Sequence, residues 1–299
     1  MQSTRGESQL SDGGLSRMIS VLTPSFNYAQ FIRMSLDSVR LQDQVDVEHV
    51  VMDGASTDET PQILNTYGGL LWNSQSDKGQ SDALNKAFSR SSGDWIAWLN
   101  ADEFYLPGAL AALHRRAMQT NADVVFGDFL LADGDAEFQR LVALRELSSF
   151  ALRNYGTVVP TCSVLIRRSI LGEEPWDPEL RKVMDWDLWL RLWTQGVKFT
   201  YLSQPIGVFL NHGANVTAIA TPSDDVEIVG LERKYGVAAI RRFAPVLRFA
   251  GNVDHLSRKM LNGSKVRERR AQKYGVGLKL DWMSSPTSLQ NVQGAMSKL

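Results

Sequence analysis

The sequence predicts an α/β fold in which helices cover both faces of a mostly parallel central sheet. Between Met18 and Leu210, short apolar runs alternate with segments of helical periodicity, a pattern typical of parallel sheets. Polar clusters also follow four of the strand-like runs. Ligands of open α/β sheets bind at the carboxyl ends of the strands, so these clusters predict a binding edge.

The first hundred residues are predicted to contain four strands and three helices. Asn27 is expected to cap the first helix, whose apolar residues recur on one face. Ser56 and Glu59 have the spacing of a capping box at the start of the second helix. Residues 81–88 have the composition of a third helix. The strands are predicted at residues 18–22, 48–52, 70–72 and 95–99.

The rest of this region is predicted to contain two more helices and three more strands. Pro107 is expected to open one helix, since proline suits the first helical turn. Residues 186–193 are rich in tryptophan and apolar nearly all round, which predicts a buried helix that Gly196 ends. The strands are predicted at residues 123–126, 198–202 and 206–210.

The two ends of the chain differ in character from this region. Residues 1–17 are polar and rich in Ser and Gly and are expected to form a disordered leader. Residues 18–220 are predicted to form the α/β domain, and residues 221–299 a helical, basic C-terminal extension. Residues 258–273 contain seven Lys or Arg and one acid, a formal charge of +6. This segment is either a solvated helix face or a contact with an anionic membrane surface or a phosphate-bearing acceptor.

Composition limits the class of protein. The 299 residues are 43% hydrophobic and 22% charged, as in ordinary globular proteins. A formal net charge of −1 gives no field that attracts nucleic acid, so no nucleic-acid partner is expected. A single cysteine, Cys162, fits a reducing compartment and a packed thiol. The sequence shows no apolar run of membrane-spanning length and no signal-peptide pattern. A cytoplasmic location is therefore predicted, with peripheral membrane contact through residues 258–273 as an option.

The strongest functional signal is the cluster Asn100-Ala101-Asp102-Glu103, which directly follows an apolar strand. Its hard oxygen ligands suit Mg²⁺ or Mn²⁺, although a solvated acidic turn is the simpler interpretation. The other clusters lie at residues 23–27, 53–58 and 76–79. Turn formation alone does not require carboxylates at Asp53, Asp77 and Asp102 together. We therefore expect the clusters to meet at one edge of the sheet.

Five segments, taken together and in order, resemble a known family. They are SVLTPSFN (20–27), VVMDGASTDET (50–60), SDKGQSDALNK (76–86), WLNADE (98–103) and DWDLWLR (185–191). Over residues 18–217 the chain resembles the family 2 glycosyltransferases, which are inverting, depend on nucleotide-sugars and have the GT-A fold. The resemblance implies a GT-A-like three-layer sandwich that moves a sugar to a hydroxyl acceptor. The acceptor class it implies is a glycan, a polysaccharide or a glycolipid precursor, and a lipid-linked acceptor is one option.

The resemblance also implies a donor site. Asp53 is expected to accept hydrogen bonds from the base, commonly uracil, because a carboxylate can accept the imide N–H. We therefore expect a UDP or dTDP donor, with GDP second. The residues that the resemblance assigns to the donor nucleotide are Thr23, Pro24, Asp53, Asp77, Lys78, Gly79, Asn100 and Ala101.

A metal site and a catalytic base are implied in the same way. Asp102, with Glu103 and His212, is expected to hold the Mn²⁺ or Mg²⁺ that bridges the diphosphate, although His212 also fits a capped turn. Asp185 is expected to be the catalytic base. Asp187 points about 200° away from Asp185 on a helix and is expected to cap the helix or pair with Arg191.

Two departures from the family pattern keep other functions open. Asn100 stands where the metal motif usually has its first Asp, and is expected to hold the ribose or a water instead. Met184 stands where many members have a Glu before the base. One alternative is a nucleotide- or glycan-binding module without catalysis. Another is a sugar nucleotidyltransferase, although residues 23–27 lack the Gly and basic residues of its usual phosphate loop.

Overall fold

In this computed structural model of the chain, the described residues are 18–154, 159–213, 215, 222–236 and 264–298. The predicted leader at 1–17 lies outside them, so that prediction has no structural counterpart. The domain boundaries at residues 220 and 221 stay predictions. Among the described residues, no helix combines the length and the apolar character that crossing a membrane requires.

A single nine-stranded sheet forms the centre of the described chain. Its order is β3-β2-β1-β4-β8-β6-β9-β5, and β7 pairs with β6 outside that path. The strands are β1 (Met18–Ser25), β2 (Asp46–Asp53), β3 (Leu71–Ser74), β4 (Trp95–Trp98), β5 (Glu103–Tyr105), β6 (Val124–Asp133), β7 (Phe138–Val142), β8 (Val164–Arg167) and β9 (Phe199–Asn211).

Helices pack on both faces of this sheet and form the outer layers. α3 and α6 share one core cluster with the sheet, and α1 and α4 contribute to another on the opposite face. Successive residues of β4 alternate between the two clusters, as a strand covered on both faces requires. The helices are α1 (Ile32–Arg40), α2 (Thr60–Leu64), α3 (Gln80–Arg90), α4 (Ala109–Thr120), α5 (Ser149–Asn154), α6 (Met184–Thr194), α7 (Pro222–Lys234), α8 (Ser264–Gly275) and α9 (Pro286–Met296).

The predicted α/β class is confirmed, with parallel strands in the half of the sheet that carries the polar clusters. β3, β2, β1 and β4 are all parallel, and Ser25 is in register with Asp53. The other half is mixed rather than parallel, because β8 lies antiparallel between β4 and β6 and β5 is antiparallel to β9. The sheet is therefore less uniformly parallel than the sequence indicates.

The sequence did not predict three of the strands, and it predicted one long strand as two. β5, β7 and β8 have three to five residues each. The two late strands predicted at 198–202 and 206–210 form the single strand β9. Pro205 lies where the β6–β9 register shifts, opposite Asp128. A proline at a bulge interrupts the sequence pattern without ending the strand.

Two predicted helix caps are wrong. α1 begins at Ile32 after Phe31, and Asn27 has a positive φ of 57°. The Asn27 carboxamide oxygen instead accepts the Thr57 N–H at 2.9 Å. Glu59 precedes α2 without a side-chain cap, and the Ser56 hydroxyl donates to Asp53. The Ser56 hydroxyl also accepts the Asn27 N–H at 2.7 Å, so both side chains connect neighbouring loops rather than capping helices. The predicted end of α6 is confirmed, since Gly196 follows it with a φ of 76°.

The helical C-terminal segment, residues 264–298, packs against the sheet. The Trp282 indole N–H donates to the Tyr105 carbonyl at 2.9 Å, and both side chains are buried. Arg267 in α8 forms an ion pair at 3.3 Å with the fully buried Asp128 of β6. One of the seven basic side chains of residues 258–273, that of Arg267, is therefore largely but not fully buried, with 15% exposed, and Lys265 pairs with Glu268 at 3.4 Å. Arg258 and Lys259 lie outside the described residues.

We expect Trp282→Ala to lower the free energy of unfolding by about 3–5 kcal/mol, because it empties a buried indole site. Trp282→Phe should cost less, since it keeps much of the ring and loses one hydrogen bond worth about 1 kcal/mol. Val276→Ala is the control, because Val276 is 71% exposed. Urea denaturation measures all three. An equal, small loss for Trp282→Ala and Val276→Ala would contradict the docking of this segment.

Candidate active site

The structure brings the four polar clusters together at the carboxyl ends of β1 to β4. The Gly54 N–H donates to the Ser25 carbonyl at 2.8 Å, which joins the first two clusters. A Cβ added to Gly54 would lie 2.8 Å from the Asp77 carboxylate, so the third cluster touches the second. The Gln80 side chain, next to Gly79, donates to Asn100 at 2.6 Å and connects the fourth. The predicted convergence on one edge is therefore present.

Asp53 ends β2 as a buried and firmly held carboxylate. It accepts the Ser56 N–H at 2.9 Å and the hydroxyls of Ser56 and Ser74. Phe26 lies beside it on the neighbouring loop, where its ring is 3.4 Å from the position of a Cβ on Gly54. The Phe26 side chain is 56% exposed. An exposed aromatic ring next to a buried carboxylate can stack on a planar group, and the sequence analysis gave Phe26 no role.

Asp77, Lys78 and Gly79 form the turn that leads into α3. The Asp77 carboxylate accepts the Gly79 N–H at 2.8 Å, and burial raises the pKa of Asp77 above its usual value. The Lys78 side chain is exposed, and its backbone N–H donates to Asp82 at 2.9 Å. Gly79 has a φ of 118°, a left-handed conformation that favours glycine.

Thr23 and Pro24 are buried within β1 rather than exposed at the edge. The Thr23 hydroxyl lies 2.8 Å from the imidazole Nε2 of His49, inside the sheet. Burial lowers the pKa of His49 to about 3. The Ser25 hydroxyl, at the end of β1, is buried without a hydrogen-bond partner among the described residues. A role for Thr23 and Pro24 in the nucleoside pocket stays a prediction, and Ser25 is the hydroxyl of this strand that is free to bind.

Asn100 uses its whole carboxamide inside the protein. Its oxygen accepts the Trp98 indole N–H at 2.9 Å and the Gln80 amide, and its nitrogen donates to Thr161 at 3.4 Å. Ala101 follows as a buried side chain packed beside α1 and α2. These contacts give Asn100 a structural role at the start of the loop.

Glu103 is held by partners outside the predicted set of metal ligands. It is 2% exposed and accepts the Asn100 N–H at 3.0 Å and the Thr161 hydroxyl at 3.1 Å. Burial, and secondly the charge of Asp102, raise the pKa of Glu103 to about 8. The predicted set of Asp102, Glu103 and His212 is not assembled as a three-residue group. Within the described ranges, no cluster of three or more His, Cys, Asp or Glu is placed to hold a metal ion.

Asp102 and His212 do come together. The imidazole Nε2 lies 3.0 Å from an Asp102 carboxylate oxygen, which also accepts the Asn215 amide at 3.1 Å. His212 stacks on Phe31 with ring centroids 4.3 Å apart. Burial and the Asp102 charge raise the pKa of Tyr28, which hydrogen-bonds to Asp102. The sequence analysis did not predict a site role for Asn215. Its position three residues after His212 is the one sequence feature that could have indicated this contact.

A cleft of about 890 Å³ opens beside this pair. It lies between the loop after β1 and the turn that joins β6 to β7. Its lining consists of Phe26, Asn27, Tyr28, Ala29, Gln30, Phe31, Asp58, Gly134, Asp135, Asn211 and His212. Aromatic rings alternating with amides and carboxylates can bind a molecule that has both apolar faces and hydroxyl groups.

Asp185 lies in the first turn of α6, at the helix end that favours an ionised carboxylate. Its carboxylate accepts the N–H of the following residue, Trp186, at 2.6 Å. The preceding residue, Met184, accepts a hydrogen bond from Ser81 at 2.8 Å. Because Ser81 belongs to the first turn of α3, the starts of α6 and α3 are in contact. This contact brings the backbone of the predicted base close to the turn at Gly79.

Asp187 has a structural role, but with different partners from those predicted. It accepts hydrogen bonds from Lys234 at 2.8 Å and Tyr235 at 2.9 Å, at the end of α7. Arg191 donates to the Pro175 carbonyl instead of pairing with Asp187. These contacts attach α6 to α7, and a separation of 47 residues between the partners left no local signal in the sequence.

The fold is that of the GT-A class of glycosyltransferases. A crystal structure of S. aureus TarS 1-349 in complex with UDP-GlcNAc is similar, with a TM-score of 0.59 at 20% identity. The match covers 72% of this chain and 65% of that one. The predicted GT-A fold is thereby confirmed.

Residues 20–173 match the model of glycosyl transferase family 2, and the chain belongs to that family. A similar protein is the PGL/p-HBAD biosynthesis glycosyltransferase of Mycobacterium bovis (strain BCG / Pasteur 1173P2), 24% identical over 77% of this chain and 92% of its own. Another is "Putative teichuronic acid biosynthesis glycosyltransferase TuaG" of Bacillus subtilis (strain 168), 27% identical over 60% of this chain and 73% of its own.

We expect the buried His49 to make stability depend on pH. The unfolded chain takes up a proton on His49 below pH 6.5, whereas the folded chain, with a pKa of about 3, does not. Stability that is present above pH 6.5 is therefore lost as the pH falls, by about 2 kcal/mol between pH 7.5 and pH 5. His49→Gln should remove this part of the loss. Urea denaturation at both pH values measures it, and an unchanged pH dependence in His49→Gln would contradict the assignment.

Proposed function

We propose that this glycosyltransferase moves a sugar from a uridine or thymidine diphosphate donor to a hydroxyl acceptor, with inversion at the anomeric carbon. One observation carries the proposal. Asp53, Asp77 and Asn100 lie on connected loops at one edge of the sheet. Asp102 follows Asn100 and contacts His212, which comes from the end of β9, and the start of α6 contacts the same edge.

A uracil or thymine base suits the Asp53 end of this edge. The carboxylate can accept the imide N–H of either base, and the exposed Phe26 ring is positioned to stack on it. The structures of TarS with UDP-GlcNAc and with UDP support a uracil nucleotide in this fold. A guanosine donor is second, because its ring also offers an N–H to a carboxylate.

The residues present fit a divalent cation, Mn²⁺ or Mg²⁺, held by two side chains. Asp102 provides a carboxylate and His212 an imidazole nitrogen 3.0 Å away, and substrate phosphates commonly complete such sites. Glu103 does not fit, because its carboxylate is engaged with Asn100 and Thr161. When bound, the cation neutralises charge on the departing diphosphate.

The proposed reaction is a single displacement. The Asp185 carboxylate takes the proton of the acceptor hydroxyl while the oxygen of that hydroxyl forms a bond to the anomeric carbon. The bond from that carbon to the donor phosphate breaks on the opposite face, and the nucleoside diphosphate leaves with the electron pair. The anomeric carbon passes through an oxocarbenium-like state. A single base is sufficient, which fits the absence of a second acid at Met184.

The names of the similar proteins support the acceptor class. One refers to PGL/p-HBAD biosynthesis and another to teichuronic acid biosynthesis, so we propose a polysaccharide, glycan or glycolipid precursor as the acceptor. We further propose that the enzyme works in the cytoplasm and that basic side chains of residues 258–273 contact an anionic membrane. Salt-sensitive binding to anionic vesicles tests that contact, and no binding at low salt favours a solvated helix face.

We expect Asp102→Ala to weaken Mn²⁺-dependent UDP binding by more than about 10-fold, because it removes the charged ligand of the site. Asn100→Ala should instead lower stability by about 1–3 kcal/mol, since the buried Trp98 indole N–H and the half-buried Gln80 amide lose their acceptor. Calorimetric titration with Mn²⁺ and with a chelator measures the binding. Equal wild-type affinity for UDP in both conditions would exclude the metal site.

We expect Asp185→Asn to lower turnover by about 10²–10⁴-fold and to leave donor affinity nearly unchanged, since a general base acts in the chemical step. Asp187→Asn is the matched control, because it weakens the contact with Lys234 and Tyr235 and should lower stability rather than chemistry. Release of nucleoside diphosphate measures turnover. An active Asp185→Asn beside an inactive, folded Asp187→Asn would overturn the assignment. Donor binding without any release by the wild type would indicate a binding module.

A further inference from the structure

We infer that Arg181 binds the diphosphate of the donor, a role that neither the family motifs nor the predicted site residues include. The inference rests on the proposed function, because it names a cation for the same donor site. Arg181 lies four residues before Asp185, in the segment that leads into α6.

The guanidinium of Arg181 lies directly over Gly79. One of its terminal nitrogens, Nη1, is 3.3 Å from the position that a Cβ on Gly79 would take. Gly79 is the residue before α3, and its N–H donates to the Asp77 carboxylate at 2.8 Å. A side chain of the C-terminal half thereby reaches the turn that the sequence assigns to the donor nucleotide. The absence of a side chain on Gly79 leaves room for this approach.

The backbone around Arg181 is anchored from two sides. The N–H groups of Arg181, Lys182 and Val183 all donate to the Glu227 carboxylate of α7, at 3.0 to 3.4 Å. The carbonyl of the preceding residue, Leu180, accepts the Ser81 hydroxyl at 2.9 Å. Because this backbone is already fixed, less conformational entropy is lost when the Arg181 side chain binds a ligand.

Arg181 is also a cation for which the described residues provide no carboxylate partner. Within the described residues, its exposed guanidinium makes no ion pair with a carboxylate, whereas nearby Lys86 is paired with Asp82 at 2.9 Å. The surrounding edge is acidic, since Asp53, Asp77 and Asp102 all lie on its loops. A nucleoside diphosphate carries several negative charges, so binding at this edge requires positive charge from the protein or from a metal ion.

A guanidinium suits that requirement. It stays protonated at all relevant pH values, and its planar fork can donate two parallel hydrogen bonds to phosphate oxygens. Arg181 therefore stabilises the bound diphosphate and the charge that develops on it as it leaves. Its contribution does not depend on the metal ion, which distinguishes it from Asp102 and His212.

Calorimetric titration of the full chain with UDP and with uridine tests the inference, in Mn²⁺ and in a chelator. Arg181→Ala should weaken UDP binding by about 10- to 100-fold in both conditions, the range of a lost charge-assisted hydrogen bond. Uridine, which has no phosphate, should bind unchanged. Arg181→Lys should be intermediate, because it keeps the charge and loses the fork. Arg40→Ala is the control, since Arg40 is an exposed arginine that pairs with Asp37 on α1.

A second substitution tests the anchoring. Glu227→Ala should weaken UDP binding in the wild type and add no further loss to Arg181→Ala, because both changes act through one contact. Additive losses would contradict the anchoring role of Glu227. Unchanged UDP binding by a folded Arg181→Ala, or an equal loss of uridine binding, would overturn the inference while the proposed function stands. If the wild type binds no nucleoside diphosphate, the proposed function and this inference both fail.

Discussion

The candidate site depends most on the hydrogen bonds that the Asn100 carboxamide makes. It joins the end of β4, the start of α3 and the turn that contains Thr161, through Trp98, Gln80 and Thr161. Its backbone N–H also binds Glu103, the first residue of β5. Because β5 pairs with β9, this arrangement carries Asp102 to His212 at the end of β9. The half-buried Asn100 carboxamide accepts two of these hydrogen bonds through its oxygen and donates one through its nitrogen. A carboxylate at this position could accept but not donate.

The same network explains how adjacent acids are tolerated at one loop. Burial and the charge of Asp102 raise the pKa of Glu103 to about 8, which favours the neutral form of that carboxyl and reduces its repulsion with Asp102. Asp102 itself interacts with His212, Asn215 and Tyr28. The Arg181 guanidinium, from the segment that leads into α6, lies over Gly79 at the same edge. The proposed donor site thus places acidic groups suited to a base beside a cationic group suited to the diphosphate.

Much of this arrangement could be predicted from the sequence, because parts of it are local. Apolar runs followed by Asp53 and Asp102 marked two strand ends, and the order of the motifs indicated the family. Contacts between distant segments could not be predicted. Glu227 binds the backbone of Arg181 from 46 residues away. Glu103 is buried as the first residue of β5, a strand that the sequence did not predict. Asn27 shows the limit of local rules, since its positive φ and its contact with Thr57 serve loop packing rather than a helix cap.

The most direct test of the proposed site is a crystal structure of the protein with Mn²⁺ and UDP, with anomalous scattering recorded at the manganese edge. We expect a manganese peak bonded to Asp102 and His212, the uracil ring between Phe26 and Asp53, and the Arg181 guanidinium on the diphosphate. A manganese peak at Glu103 or Asn100, or a nucleotide bound away from the ends of β1 to β4, would contradict it.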